Sequence, residues 1–433
     1  MFKTLSDAFK IKEVRNKLLL TLLLLLIYRL GCWLPVPGVV GIEFGEGQTF
    51  FNLLNSMSGG ALSQGTFLAL GVSPYITSSI IIQLLAAVIP SWENLKNEGA
   101  DGRKKIEKYT KIAALVIASA QALGIVIGLK SSGYIDTKYF GSAPEFVSIA
   151  FVVLMLVAGA MFTVWLGEKI TEIGIGNGMS LLIFVGILSS AGTALLSTFK
   201  NISMGGDVAV SAIWQLVLFL VVMLVIFGLV VFVDGAERKV PVQYAKQIKG
   251  RKMYGGQSTY IPVRVNANGV MPIIFATSIL TFPQLLFSIF WADKTTGFIG
   301  WWNKWVGSGT WIYTIVLGLL ILAFAYFYSM LNFNTQDISR QIQQNGGFIP
   351  GIRPGKPTAD YLGGISKRIT LFGAIFLGFM AIIPTFIFKA IGTTALTSAF
   401  SATSILIVVS VALEFDKQLE AQMLMRNYRG FLK

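Results

Sequence analysis

The chain has no histidine, one cysteine and few charged residues, and each shortage excludes a class of protein. Without histidine there is no His-ligated zinc site, no His-based catalytic triad and no His proton relay. Cys32 alone cannot form an intrachain disulfide, and we expect it to pack within the first apolar run. Only 13% of the 433 residues are charged, whereas soluble domains have roughly 25%. Most of the surface must therefore face lipid.

Long apolar runs accompany this shortage of charge. Residues 18–33 contain one charged residue, Arg29, and residues 216–233 contain none. A bilayer core of about 30 Å requires about 20 apolar residues of helix, and only helices or closed barrels satisfy all backbone groups in lipid. Because the runs are continuous rather than alternating, they predict helices. We expect Arg29 to pack against a neighbouring helix or to extend toward the membrane surface.

The predicted fold is an all-α integral membrane protein with ten transmembrane helices. The apolar spans lie at residues 18–35, 74–90, 112–129, 146–166, 179–197, 213–233, 269–289, 310–330, 369–389 and 397–414. Five spans fall in residues 1–200 and five in residues 201–433. Because five is odd, the two halves are inverted relative to each other, and inverted repeats commonly place a pathway at their interface.

The basic residues are distributed very unequally between the two sides of these spans. One side, which includes both termini, carries 28 Lys/Arg and 15 acidic residues, whereas the other carries six of each. The positive-inside rule makes the first side cytoplasmic. The N-terminal apolar run lacks a small-residue cleavage site and does not indicate a cleaved signal. Two explanations account for the excess of positive charge on this side. Either it sets the membrane topology and binds anionic lipid, or it forms a docking surface for an acidic or polyanionic partner. The long loops 234–268 and 331–368 favour the docking surface.

The segment Thr49–Leu70 is too polar to span a membrane and too apolar for a free loop. Both flanking spans end near it on the outer side, so we predict a re-entrant segment. Half-polar backbone at membrane depth is tolerated where it is buried in protein or lines a water cavity. A surface amphipathic helix is the alternative.

Residues for catalysis or ion coupling are scarce. The segment most similar to a phosphate-binding loop is Gly351–Pro357, but its glycines and lysine have the wrong spacing. The glycine-rich segment Gly174–Gly178 predicts a tight turn before a helix. Ionisable residues are nearly absent from the spans, although ion-coupled transporters usually need them at the midplane. A solute carrier and a membrane enzyme are therefore the weaker alternatives. A partner must supply any driving energy.

Four stretches together make the chain resemble the SecY family of protein-conducting channels over essentially its whole length. They are residues 58–63 (SGGALS), 70–85 (LGVSPYITSSIIIQLL), 174–178 (GIGNG) and 346–355 (GGFIPGIRPG). The resemblance implies a central hourglass pore between the two halves, through which unfolded preproteins cross. It also implies a lateral gate, through which hydrophobic segments leave into lipid.

The resemblance further assigns roles to individual residues. It implies a pore ring of Ile76, Ile80, Ile183, Ile187, Ile274 and Ile407. The candidate plug, residues 50–65, would include Phe50, Asn55, Ser58, Gly59, Gly60 and Ser63. The lateral gate would involve Ser79, Gln83, Phe275 and Phe282. The apolar spans place the ring isoleucines at unequal depths, so we expect the span from Pro74 to begin at mid-membrane, below the plug.

The resemblance also implies partners and a location. Arg251, Lys252 and Arg353 match positions that the family uses for cytoplasmic partners. Those partners are the small membrane subunits SecE and SecG, the motor ATPase SecA, the ribosome, and the signal sequences and nascent chains that are transported. The chain would be a passive, cofactor-free channel in the bacterial cytoplasmic membrane, driven by the motor or the ribosome. Anionic lipid is a further contact of the basic face.

Overall fold

The structure is a computed structural model, and most of the described chain is helical. It describes residues 2–39, 55, 58–131, 134–135, 144–203, 207–244, 247–249, 252–254, 258–266, 269, 271–290, 298–306, 310–332, 334–391 and 402–430. The helices are α1 (Phe2–Lys10), α2 (Lys12–Gly31), α3 (Ser73–Val88), α4 (Pro90–Asn97), α5 (Ala100–Ser131), α6 (Glu145–Ile173), α7 (Gly178–Ser203), α8 (Asp207–Asp234), α9 (Met271–Phe290), α10 (Phe298–Trp305), α11 (Trp311–Asn332), α12 (Thr335–Gln344), α13 (Lys356–Ile391) and α14 (Ala402–Gly430).

A helix lies at the position of every predicted span. Six helices of the described chain, α5 to α8, α11 and α13, are long and apolar enough to cross a membrane. Helix α3 and the first half of α9 are apolar but shorter. Several helices extend past the predicted spans, as α5 does at its charged start, because hydropathy marks only the apolar part of a helix. The chain is a multi-pass membrane protein, and the count of ten spans stays a prediction.

The predicted turn at Gly174–Gly178 is confirmed. Helix α6 ends at Ile173 and α7 begins at Gly178. The Asn177 side-chain oxygen accepts hydrogen bonds from the backbone N–H groups of Met179 and Ser180, at 3.1 and 3.4 Å. These bonds satisfy donors that the first turn of a helix leaves without partners. The turn lets α6 and α7 pack as direct neighbours.

The two long basic loops contain two small β-sheets, of three and two strands, which the prediction of an all-α fold missed. The strands are β1 (Glu237–Tyr244), β2 (Gln247–Lys249), β3 (Lys252–Tyr254), β4 (Ser258–Arg264) and β5 (Gly347–Phe348). Strand β1 pairs antiparallel with both β4 and β5, and β2 pairs with β3. In β1, Val240 and Val242 are buried while their neighbours Lys239, Pro241 and Gln243 are exposed, which is the alternation of a half-buried strand.

The three-stranded sheet and α12 form a loop module with its own hydrophobic core. This core contains Val240 and Val242 of β1, Val263 of β4, Ile342 of α12 and residues of the following loop and α13. Strand β5 joins the two basic loops because it pairs with β1 across more than 100 residues of sequence. Both predicted docking loops are therefore parts of one folded module.

A central hydrophobic cluster joins the membrane helices of both sequence halves. It includes residues of α2, α3, α6 and α7, and residues of α8, α9, α11, α13 and α14. Small polar groups add contacts between helices: the Ser329 hydroxyl of α11 lies 2.8 Å from the Thr370 hydroxyl of α13. Because lipid is as apolar as these side chains, close packing and such hydrogen bonds hold membrane helices together. This cluster positions the candidate site.

Candidate functional site

The six isoleucines of the predicted pore ring all lie in the central cluster. Each is buried, with an exposed fraction between 1 and 7%. They come from four helices, as Ile76 and Ile80 of α3, Ile183 and Ile187 of α7, Ile274 of α9, and Ile407 of α14. Isoleucine side chains are stiff at χ1 and offer no hydrogen bonds. The arrangement can form a rigid apolar constriction.

The short length of α3 accounts for the position of Ile76 near one end of its span. The helix has 16 residues, or about 24 Å at 1.5 Å per residue, whereas the bilayer core is about 30 Å thick. Pro74 lies in the first turn, where its missing N–H costs no intrahelical bond. Residues 58–72 lead directly into this turn. A helix that begins inside the membrane, below the plug, fits these dimensions.

The described part of the candidate plug consists of Asn55, which is helical, and residues 58–65, which form a series of turns. Asn55 organises it. Its backbone carbonyl accepts from the Gly60 N–H at 2.8 Å and the Ser58 hydroxyl at 3.1 Å, and its side-chain oxygen accepts from the Ser63 N–H at 2.9 Å. Gly59 and Gly60 have φ of +71° and +87°, the left-handed region that favours glycine. Phe50 lies outside the described residues.

Ser58 and Gly59 of the candidate plug lie near α2 and α7, whereas Leu62 packs in a hydrophobic cluster with residues of α5 and α6. The Arg29 Nη1 atom of α2 donates to the Gly59 carbonyl at 3.0 Å, and the Cys32 Sγ atom lies 3.8 Å from the Ser58 carbonyl. A Cβ atom on Gly59 would lie 3.1 Å from the carbonyl oxygen of Gly186, which is on α7 next to Ile187. We call Arg29, Cys32 and Gly186 the plug seat. Arg29 thus binds a turn of the candidate plug, an interaction that hydropathy did not predict.

The helices of the predicted lateral gate are neighbours. Helix α9 packs against both α3 and α5 on one side and against α11 on the other. Phe275 of α9 is buried, and its ring centroid lies 4.9 Å from that of Tyr328 in α11. The side chain of Phe282 lies outside the described residues. The packing places a seam between α3 with α5 and α9 with α11.

A side-chain hydrogen bond crosses this seam in the described part of the chain. The Tyr328 hydroxyl donates to the Gln83 side-chain oxygen at 2.7 Å, and the Gln83 side-chain nitrogen donates to the Ser79 hydroxyl at 3.0 Å. We call these three residues the gate clasp. Sequence reasoning named Ser79 and Gln83 but missed Tyr328. The available signal was a tyrosine in an apolar run, since a buried tyrosine hydroxyl usually needs a partner.

The loop module presents Arg353 on an anchored turn. Arg353 is exposed, and its backbone carbonyl accepts from the Thr358 hydroxyl at 2.9 Å. The Ser339 hydroxyl of α12 donates to the Gly355 carbonyl at 2.7 Å, and Ile349 is buried in the module core. The turn is therefore fixed at both ends while the guanidinium is available. Arg251, and the side chain of Lys252 in β3, lie outside the described residues.

A buried carboxylate lies between the loop module and the helix of Ile407. Asp234, at the end of α8, is 8% exposed. It accepts from the Asn266 side-chain nitrogen at 2.6 Å and from the Ser410 hydroxyl at 2.7 Å. Asn266 follows β4, and Ser410 is one turn beyond Ile407 on α14. Sequence reasoning did not single out Asp234, because hydropathy makes an acidic residue at the end of an apolar span look ordinary.

Known proteins match the chain over its full length. A chain described as protein translocase subunit SecY from Streptomyces scabiei is 42% identical, with 100% of both chains covered. The solved structure of a protein-conducting channel covers 94% of this chain and 92% of its own, with a TM-score of 0.66 and 18% identity.

Two further solved structures share the fold at similar coverage. One is a SecY channel described as having a plug domain that stabilises the closed state and maintains a membrane seal (TM-score 0.64, 18% identity, 94% and 92% covered). The other is Sec61 in a canine ribosome–channel complex from the endoplasmic reticulum (TM-score 0.60, 17% identity, 94% and 92% covered). The SecY family model matches residues 66–415, and with the full-length relatives it shows that this chain belongs to the SecY family.

Proposed function

We propose that this chain is the channel subunit of a Sec translocon, which passes unfolded preproteins across the bacterial cytoplasmic membrane. One observation carries the proposal: in a SecY-family chain, Gly59 of the plug approaches α7 so closely that an added Cβ atom would lie 3.1 Å from the Gly186 carbonyl oxygen, next to ring residue Ile187. A removable segment thus lies against an apolar constriction. Residues 1–200 and 201–433 would form two inverted five-helix halves, and the pore would run between them.

The pore ring suits a conduit that must pass many different sequences. Isoleucine side chains cannot hydrogen-bond to a passing chain, so no sequence is held strongly. An apolar constriction can also close by losing its water, which limits the leak of ions. The plug would close the same path, and its polar, glycine-containing segment would leave with a modest free-energy cost.

The lateral gate would open at the seam between α3 with α5 and α9 with α11. Breaking the gate clasp and separating the helices exposes the pore to lipid. A segment inside then partitions by its apolarity, since Leu, Ile, Phe or Val contributes roughly −0.3 to −0.6 kcal/mol, whereas a central charge costs about 2.5 to 3.5 kcal/mol. The gate therefore releases signal sequences and membrane helices and retains polar segments.

The loop module would dock the partners that supply energy. We place the module in the cytoplasm with both termini, following the charge distribution. Arg251, Lys252 and Arg353 would bind acidic groups of SecA or phosphates of the ribosome through charge-assisted hydrogen bonds. The ribosome-bound Sec61 relative supports a ribosome partner. SecE and SecG would complete the membrane complex, and the chain itself would perform no catalysis.

The test is the resting ion conductance of the purified complex in planar bilayers, measured beside the export of a preprotein with a defective signal. Ile80→Asn and Ile274→Asn make the constriction easier to wet, and deletion of residues 55–65 removes the plug. We expect each change to raise the conductance and improve export of the defective preprotein. A solute carrier would show neither effect. Equal tightness and equal selectivity in all the variants would exclude the pore assignment.

A further inference from the structure

Arg29 is a charged residue within an apolar span, and its side chain turns toward the plug. The Nη1 atom donates to the Gly59 carbonyl at 3.0 Å. An ionisable residue within a membrane helix is costly and usually has a functional partner. A guanidinium to a carbonyl is a charge-assisted hydrogen bond, which is stronger than a neutral one.

The backbone at Gly59 is shaped for this contact. A Cβ atom at Gly59 would lie 2.5 Å from Arg29 Nη1, so any other residue would displace the guanidinium. At Gly60, the next residue, a Cβ atom would meet nothing within 4 Å, although φ is similarly positive. The close approach is therefore specific to Gly59 and is not a general property of the turn.

A second contact on the same helix supports the first. Cys32, three residues beyond Arg29, caps the end of α2, and its sulfur lies 3.8 Å from the Ser58 carbonyl. Two consecutive plug carbonyls thus face two side chains of one helix face. The Cys32 thiol is a weak donor, so the guanidinium must contribute most of the attraction.

We propose that Arg29 is the positioning residue that retains the plug in its seat, an inference that rests on the proposed channel function. Its hydrogen bond stabilises the seated plug relative to the displaced one. When the plug leaves, water can solvate both the guanidinium and the Gly59 carbonyl, so the bond resists displacement without preventing it. Arg29 thereby sets how readily a signal sequence opens the channel.

The test removes the guanidinium in two backgrounds. Arg29→Met and Arg29→Gln are compared with wild type in the full-length complex and in a complex that lacks residues 55–65, with resting conductance as the readout. Both variants remove a charge from a membrane helix, which favours insertion. We expect an increase on the order of tenfold in the full-length complex and no increase in the complex without the plug. Arg29→Lys should show a smaller increase because it keeps a donor.

Leu30→Ala is the matched control, since Leu30 neighbours Arg29 on α2 but is exposed toward lipid; it should leave the conductance unchanged. The native Cys32 gives an independent readout because it is 2% exposed next to Ser58 of the plug. Its alkylation by a small thiol reagent, followed by mass spectrometry, should accelerate in Arg29→Met.

Each outcome separates this inference from the proposed function. If plug deletion raises conductance but Arg29→Met and Arg29→Gln change neither conductance nor Cys32 alkylation, the role of Arg29 is wrong and the channel function stands. An equal rise with and without the plug also refutes it, because Arg29 would then act elsewhere. If plug deletion has no effect, Arg29 has no plug to retain and the inference fails; if Ile80→Asn and Ile274→Asn also have no effect, the proposed function fails as well.

Discussion

The plug seat and the gate clasp are two contact regions of the same molecule, and they are built from different kinds of interaction. At the plug seat, α2 and α7 meet backbone atoms of the plug: the carbonyls of Ser58 and Gly59. At the gate clasp, side chains bind side chains, from Tyr328 to Gln83 to Ser79. The seat therefore depends on backbone conformation and close approach, whereas the clasp depends on side-chain chemistry. Different substitutions should break each of them.

Gly59→Ala is expected to have the largest effect, because it changes both the backbone and the space at the plug seat. A residue other than glycine at φ +71° costs about 1–2 kcal/mol, and the added Cβ would also crowd Arg29 and Gly186. We expect the resting conductance to rise by at least about tenfold. Gly60→Ala is the matched control, since it has the backbone cost without the crowding. A smaller effect from Gly59→Ala than from Gly60→Ala would contradict this account of the seat.

The gate clasp should respond to loss of a single hydroxyl. Tyr328→Phe leaves the Gln83 oxygen without its donor, at a cost of about 1 kcal/mol. We expect roughly fivefold better export of a weakly hydrophobic signal sequence, measured with purified complexes in vesicles. The resting conductance should change less than in Gly59→Ala, because the plug seat is intact.

A double-mutant cycle tests whether Tyr328 and Gln83 act together. Gln83→Leu removes the other partner, so the double variant should be no more permissive than either single variant. Independent, additive effects of Tyr328→Phe and Gln83→Leu would show that their hydrogen bond does not hold the gate.

Charge reversal on the loop module should affect partner binding and leave both the plug seat and the gate clasp intact. We expect Arg353→Glu to impair motor-driven secretion, and Arg251→Glu with Lys252→Glu to weaken ribosome binding several-fold, more so at low salt. The measurements are ATP-driven translocation and ribosome affinity over a salt series, with resting conductance as the control. Ribosome affinity that is independent of salt in wild type and variant would contradict a role for these charges.

The smallest effect is expected from Cys32→Ser, which replaces a weak sulfur contact at the plug seat by a hydroxyl. Resting conductance should stay near wild type, so this variant can serve as a background for topology. Single cysteines placed at Lys138 and Lys356 are then treated with an impermeant thiol reagent from outside the cell. Labelling of the first and protection of the second are expected; the reverse result would invert the proposed orientation of the plug and the loop module.

Hydropathy located the helices well but not their partners. Each predicted span overlaps a helix, and the turn at Gly174–Gly178 is where the sequence places it. By contrast, Tyr328 and Gln83 are 245 residues apart in sequence, and no local pattern links them. The three-stranded sheet was missed because its central strand has only two buried valines, Val240 and Val242, and gives a weak periodic signal inside a basic loop.

The amino-acid sequence alone determines that this chain is a multi-pass membrane protein with a strongly basic side and no histidine chemistry, because apolarity and charge act residue by residue. Family resemblance adds the six ring isoleucines, and the fold buries them in one cluster. Only the tertiary structure decides that Arg29 binds Gly59 of the candidate plug and that Tyr328 of α11 binds Gln83 of α3. Those contacts depend on distances between segments far apart in the chain, which composition and periodicity do not encode.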